Sequence, residues 1–141
     1  MIINTDVYNE VFRVLKQFIK DNTDYDVYVT KLPLQQSDKF PQVVLTEEEN
    51  SFNSGTTRGE ETVSKLSYEV NIYAQDKVVN GDMKSRVDIA RELVALVDNV
   101  MNCNYRMRRI TCRPTPNIDI NIYRMTLRYT VSLNDNRIKF I

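Results

Sequence analysis

Three consecutive glutamates, Glu47, Glu48 and Glu49, come closest in this 141-residue sequence to a catalytic or metal-binding group. Carboxylates can act as general acids or bases, and their oxygens bind divalent cations. The three lie in a segment typical of a β-strand, where successive side chains point to opposite faces of a sheet. We therefore do not expect them to converge on one ion or substrate, and a solvated or interfacial role is favoured over catalysis.

The remaining residues offer little for catalysis. The sequence has no histidine, and Cys103 and Cys112 do not form a paired-cysteine metal motif. Asp76, Asp82 and Asp88 lack the spacing of a calcium-binding loop. No Gly-rich phosphate loop or nucleophile elbow occurs either. The sequence thus predicts no enzyme activity and no cofactor or metal, so the function is expected to depend on surfaces and assembly.

Charge is balanced over the whole chain but not along it. Residues 1–104 hold 11 basic and 17 acidic residues, whereas residues 105–141 hold 8 basic and 2 acidic ones. Seven of these eight basic residues are arginines: Arg106, Arg108, Arg109, Arg113, Arg124, Arg128 and Arg137. The folded surface is therefore expected to carry opposed patches, through which copies of the chain could bind head to tail.

The hydrophobic pattern predicts a helix, three strands, a second helix and two more strands. Apolar residues at helical spacing indicate amphipathic helices over about Asn4–Lys20 and Ser85–Met101. The predicted strands are Tyr25–Leu32, Pro41–Phe52, Thr62–Ala74, Tyr105–Arg113 and Ile118–Leu133. Between the second and third strands, about Asn50–Glu61 contains two of the three glycines and is predicted to be a mobile hairpin loop.

The third and fifth strands alternate cleanly between apolar and polar side chains. Leu66, Tyr68, Val70 and Ile72 share one face of the third strand, with polar residues between them. This pattern is typical of an antiparallel sheet covered on one side. The predicted fold class is α+β: a mainly antiparallel sheet of about five strands with two helices packed on one face, in a single domain over residues 1–141. We expect neither a secretory signal nor a membrane span.

The two faces of the fifth predicted strand also decide how the arginine-rich residues 105–141 are interpreted. Tyr123 and Tyr129 could stack on nucleic-acid bases, but they lie on the apolar face and are predicted to be core residues. Arg124 and Arg128 lie on the opposite face. They could be solvated, pair with the acidic part of a neighbouring copy, or contact DNA through charge alone; pairing with a neighbouring copy is favoured.

The element order and the sequences of five segments resemble those of the tail terminator, or tail completion, proteins of long-tailed bacteriophages. The segments that carry the resemblance are VYNEVFRVLKQFI, FPQVVLTEEENSF, KLSYEVNIYAQ, DIARELVALVDNVM and IYRMTLRYTVSL. The resemblance implies a virion protein of the tail-neck region, made in the bacterial host cytoplasm. Copies would form a ring, typically of six, that terminates the tail tube and joins it to the head-side connector. DNA would pass through the lumen without sequence-specific binding, and no membrane would be involved.

A ring requires two complementary, non-identical patches on each copy. The residues expected at the subunit or partner interface are Glu47, Glu48, Glu49, Ser54, Gly55, Arg58, Gly59, Arg106, Arg108, Arg124, Arg128 and Phe140. Two alternatives stay open. One is another phage neck or head-completion protein, and the other is a cytoplasmic module that binds single-stranded nucleic acid.

Overall fold

A computed structural model describes residues 4–32, 39–53, 63–116, 119–134 and 139–140. Helix α1 is Asn4–Asp21, and helix α2 is Arg86–Asp98, which a π-helical segment, Asn99–Asn104, continues. The strands are β1 Tyr28–Thr30, β2 Gln42–Asn53, β3 Val63–Ala74, β4 Lys77–Val79, β5 Asp82–Lys84, β6 Arg108–Pro114, β7 Tyr123–Asn134 and β8 Lys139–Phe140. The class is α+β, as predicted.

Each helix buries one stripe of its surface. In α1, Val7, Val11, Leu15 and Ile19 recur at every fourth position and are buried, which is the spacing that lines one face of a helix. Helix α2 buries Ile89, Ala90, Leu93 and Val97 in the same way. The Ser85 hydroxyl caps α2 by accepting a hydrogen bond from the Asp88 amide at 3.2 Å.

The strands form one main sheet in the order β1-β2-β3-β7-β6. The pairs β2–β3, β3–β7 and β6–β7 are antiparallel, whereas β1 runs parallel to β2. Strand β8 pairs with the last residues of β7. Because β3 pairs along the whole of β7, β8 and β6 share the other edge of that strand.

The core lies between the helices and one face of this sheet. Tyr68 of β3 is opposite Tyr129 of β7, and Val70 is opposite Leu127. All four side chains are fully buried in one cluster with the apolar stripes of α1 and α2. The alternation predicted for the third and fifth strands is therefore confirmed, and both helices cover the same face.

Several predicted boundaries are wrong. Asn50–Phe52, included in both the predicted second strand and the predicted loop, belong to β2, which extends to Asn53 and pairs with β3. The closing strand begins at Tyr123 rather than Ile118, because Asp119–Ile122 forms a turn closed by the Ile122 amide and the Asp119 carbonyl at 3.1 Å. Tyr105 and Arg106 precede β6 rather than belonging to it. The first strand is only three residues long.

A small hairpin, β4–β5, was not predicted as strand. The sequence indicates only a break at Asn80-Gly81-Asp82, and that break is the hairpin turn. Asn80 and Gly81 both have positive φ, 53° and 86°, as a two-residue Asn-Gly turn requires. Val78 and Met83 face each other across the hairpin and are both exposed.

Candidate interaction surface

The sheet face turned away from the helices is the candidate interaction surface, and we call it the open face. It carries the second set of alternating residues: Lys65, Ser67, Glu69, Asn71 and Tyr73 in β3, and Arg124, Thr126, Arg128, Thr130 and Ser132 in β7. Strand β2 adds Thr46 and Glu49, which pair with Glu69 and Ser67. Strand β6 adds Arg108, Thr111 and Arg113, which pair with residues of β7. Arg124 and Arg128 thus point away from the core, as predicted.

Arg128 lies at the centre of this face between two carboxylates. Its Nε atom is 3.2 Å from Glu69 Oε2 and 3.5 Å from Glu48 Oε1. Partial burial raises the pKa of Glu48 above its usual value, the Arg128 charge lowers it, and nearby Glu69 raises it. An arginine expected to be available for a neighbouring copy is therefore already paired within the chain.

Arg124 belongs to a second network, which is largely buried. Its Nε donates to Asn71 Oδ1 at 3.0 Å, and Thr126 Oγ1 donates to the same oxygen at 2.8 Å. The Asn71 amide in turn donates to Glu69 at 2.7 Å. The Arg124 guanidinium carbon also lies 5.4 Å from the centre of the Tyr73 ring, a cation–π distance. These bonds fix Arg124 in one orientation on the open face.

The glutamate run is divided by a β-bulge. A register shift between Glu47 and Glu49 interrupts the pairing of β2 with β3. Glu47 pairs with Tyr68 on the helix side, whereas Glu48 contacts Arg128 and Glu49 lies 3.7 Å from Lys65, both on the open face. Strict alternation would have separated Glu48 from Glu49, so that part of the prediction is wrong. The three carboxylates still do not converge, and the described residues include no group of three metal-binding side chains.

The arginines of β6 are in a different situation from Arg124 and Arg128. Arg108 and Arg113 lie on the open face at the edge of the sheet, and both are exposed. Arg106 is exposed in the turn before β6, where it has a positive φ of 54°. Within the part of the chain that the structure describes, none of the three has a carboxylate within 4.0 Å. Arg109 points to the helix side and pairs with Asp98 at 3.5 Å.

The remaining predicted interface residues cannot be placed on this surface. Ser54, Gly55, Arg58 and Gly59 lie outside the described residues. Phe140 is in β8, opposite Leu133 of β7.

Two aromatic residues of the open face were missed by the sequence reasoning. Tyr28, Gln42, Tyr73 and Arg124 are in-register neighbours across β1, β2, β3 and β7. Lys39 Nζ lies 5.2 Å from the centre of the Tyr28 ring, so each tyrosine has a cation beside it. The signal was present for Tyr73, which stands among the polar residues of an alternating strand. Tyr123 and Tyr129, considered instead, pack against the core.

The helix side of the sheet carries a separate set of buried tyrosines. Tyr129 donates a hydrogen bond to Asp98 Oδ1 at 3.1 Å, and burial raises its pKa strongly. The Tyr68 ring stacks on Tyr8 at 5.8 Å. Burial also raises the pKa of Tyr68, and the charge of Glu47 adds to the effect. These phenols are held protonated, so they serve packing rather than proton transfer.

Comparison with models of protein families and with curated proteins finds no match for this chain. Among the described residues, no helix is both long enough and apolar enough to cross a membrane. The charges of the open face provide a physical basis for a functional hypothesis. Arginines occupy its β6–β7 side and glutamates its β2–β3 side, with the Arg128 ion pairs between them.

Proposed function

We propose that copies of this chain assemble into a ring that terminates a bacteriophage tail tube and joins it to the head-side connector. The observation that carries the proposal is the lateral division of charge on the open face. Arg108 and Arg113 lie at one side of the sheet, and Glu48 and Glu49 at the other. A face of this kind offers each neighbour two different, complementary patches, which is what a head-to-tail ring needs.

The resemblance to tail terminator proteins supplies the biological setting. The α+β element order on which the resemblance rests is present in the fold, with the short hairpin β4–β5 and strand β8 added to it. On this proposal the ring contains six copies, contacts the tube protein on one side and the connector on the other, and encloses passing DNA. The protein would be found at the tail-neck region of the virion.

The ionic contacts of Arg128 refine the proposal. Because Glu48 and Glu69 already hold this arginine, it contributes less to a subunit contact than an arginine without a partner. Arg106, Arg108 and Arg113 are better candidates, since none of them pairs with a carboxylate among the described residues. The basic side of the subunit contact is accordingly assigned to the β6 side of the sheet.

Cross-linking mass spectrometry on purified virions of the encoding phage tests the function directly. Links from this chain to itself and to the tube protein are expected, together with a stoichiometry of one ring per virion. Links to head or connector proteins without tube links would favour another neck or head-completion protein. Absence of the chain from virions would contradict both structural roles.

A second candidate function is binding of single-stranded nucleic acid. The observation that favours it is the pair of partly buried tyrosines, Tyr28 and Tyr73, each beside a cation on the open face. Aromatic rings beside basic residues can stack on bases while the cations contact phosphates. A gel-retardation assay at two salt concentrations tests it, because affinity carried by phosphate contacts falls steeply with salt. Tyr73→Ala should then weaken binding, with Tyr123→Phe as the control.

A further inference from the structure

The main sheet has two edges beside which no further described strand pairs. Strand β6 ends the sheet on one side. On the other side, β1 pairs only with Gln42–Val44 of β2. Among the described strands, none lies beside Thr46–Asn53 on the side away from β3. A strand edge without a neighbouring strand can accept one from another chain through main-chain hydrogen bonds.

The two edges carry opposite charge. The β6 edge has Arg108 and Arg113 on the open face and Arg106 just before it, all exposed and without a carboxylate partner among the described residues. The β2 edge has Glu48 and Glu49, which are exposed and hold Arg128 and Lys65 at 3.5 and 3.7 Å. Exposed ion pairs at these distances are weak and can exchange partners.

These charges select one pairing out of three. Two β6 edges brought together would place arginines against arginines, and two β2 edges would place glutamates against glutamates. Both arrangements are disfavoured by like-charge repulsion, whereas β6 against β2 brings opposite charges together. The charges on the β6 and β2 edges thus disfavour pairing between like edges and permit pairing of β6 with β2.

Strand direction fits the same contact. Strands β2 and β7 run one way in the sheet, and β3 and β6 run the other way. If neighbouring copies are related by rotation about an axis along the strands, β6 of one copy lies antiparallel to β2 of the next. The exposed side chain of Ile110, at the β6 bulge, lies at this edge and would lose water contact there.

We infer that β6 of one copy adds, antiparallel, to the Thr46–Asn53 edge of β2 in the next copy, so that one sheet continues from subunit to subunit. The inference rests on the proposed ring and names its subunit contact. Because the contact joins two different edges, it can repeat from copy to copy rather than stopping at a dimer, and it forms a ring when the rotation between copies closes. The open faces of all copies then lie on the same side of the continuous sheet.

Charge exchange between the edges tests the contact. One variant, the acidic-edge variant, makes the β6 edge acidic through Arg108→Glu with Arg113→Glu. The other, the basic-edge variant, makes the β2 edge basic through Glu48→Lys with Glu49→Lys. Each variant alone is expected to self-associate at least about tenfold more weakly than the wild type in sedimentation velocity, a loss that corresponds to about 1.4 kcal/mol. An equimolar mixture should recover oligomers, because every acidic β6 then meets a basic β2 and every basic β6 meets an acidic β2.

A matched control changes charge away from both edges. Lys16→Glu with Arg91→Glu alters the net charge as much as the acidic-edge variant does, but on exposed helix positions. This control should associate as the wild type does. Circular dichroism and thermal unfolding of every variant exclude loss of fold as the cause.

The association experiments test the β6–β2 contact, and the virion cross-linking tests the proposed function, so either can fail without the other. Edge variants that associate like the wild type, a mixture that stays monomeric, or a wild-type chain that is monomeric at every concentration would overturn the strand addition. A virion ring found by cross-linking would leave the proposed function standing in each case. Conversely, charge-dependent association by a protein absent from virions would overturn the function and leave the edge contact intact.

Discussion

The Arg128 guanidinium lies 3.2 Å from the carboxylate of Glu69 on the neighbouring strand. Together with the contact to Glu48 at 3.5 Å, this pair joins the basic and acidic sides of the open face. The charge split along the sequence therefore becomes a split across one sheet, held together by ion pairs in its middle. Arg108 and Arg113 at the β6 edge have no carboxylate partner among the described residues, whereas Arg128 is expected to contribute to the stability of the monomer.

Removing the central arginine should cost stability, whereas removing an edge arginine should not. Arg128→Ala deletes two partly exposed ion pairs, and we expect the free energy of unfolding to fall by about 1 kcal/mol. Arg113→Ala, on the same face without a carboxylate partner among the described residues, should change it by less than about 0.5 kcal/mol. Urea unfolding of the monomer measures both. Equal losses for the two variants would contradict the division of roles.

The buried phenols Tyr129 and Tyr68 should respond differently to loss of the hydroxyl. Tyr129→Phe removes a hydrogen bond to the Asp98 carboxylate, and we expect it to cost about 1.5 to 3 kcal/mol. The Tyr68 hydroxyl is buried and has no hydrogen-bond partner among the described residues. Tyr68→Phe should therefore be neutral or stabilise the protein by up to about 1 kcal/mol, because it removes a desolvated polar group. Thermal unfolding of the two variants provides the comparison, and a large loss from Tyr68→Phe would show that its hydroxyl is satisfied.

The N-terminus of α2 should depend on the side chain of Ser85. This hydroxyl accepts from the Asp88 amide, one of the amides that lack a partner within the helix. Ser85→Ala is expected to lower the free energy of unfolding by about 1 kcal/mol, and Ser85→Gly by only a few tenths. Chemical denaturation of the three proteins tests this order. A loss from glycine as large as that from alanine would mean that the cap contributes little.

The sequence predicts the elements well wherever one face of a long segment is buried. The stripe of α1 and the alternation of β3 and β7 are visible because burial imposes a period of 3.6 or 2 over many residues. The parallel pairing of β1 with β2 could not be predicted, since three-residue β1 has too few positions to show a period. The β4–β5 hairpin was missed because Val78 is exposed and its strand is equally short.

The open face shows a different limit of sequence reasoning. Alternation correctly assigned Arg124 and Arg128 to the polar face, but it could not identify their partners. Glu69 and Asn71 are separated from these arginines by more than fifty positions in the chain, and only the register of β3 against β7 brings them together. The bulge at Glu47 also changes the face of the residues that follow, and no local pattern marks it.

The burial of Tyr105 on the helix side of the sheet can be tested by measuring protein stability at alkaline pH. Burial is the main cause that raises the pKa of Tyr105 to about 12, and the charge of Glu10 adds to it while Arg13 lowers it. An unfolded tyrosine titrates near pH 10. Between about pH 10 and about pH 12 the unfolded chain loses this proton before the folded one, so the folded state becomes less stable as pH rises. Below about pH 10 the contribution is fully present.

Tyr105→Phe should therefore make the loss of stability with rising pH less steep between about pH 10 and about pH 12. The slope should not vanish, because burial also raises the pKa of Tyr68 and Tyr129. Urea midpoints of the wild type and the variant, measured at several pH values from neutral upward, give the two slopes. The difference at neutral pH reports the pH-independent cost of the substitution and is subtracted before the slopes are compared. Parallel curves above about pH 10 would show that Tyr105 ionises equally readily in both states, contrary to its burial against α1.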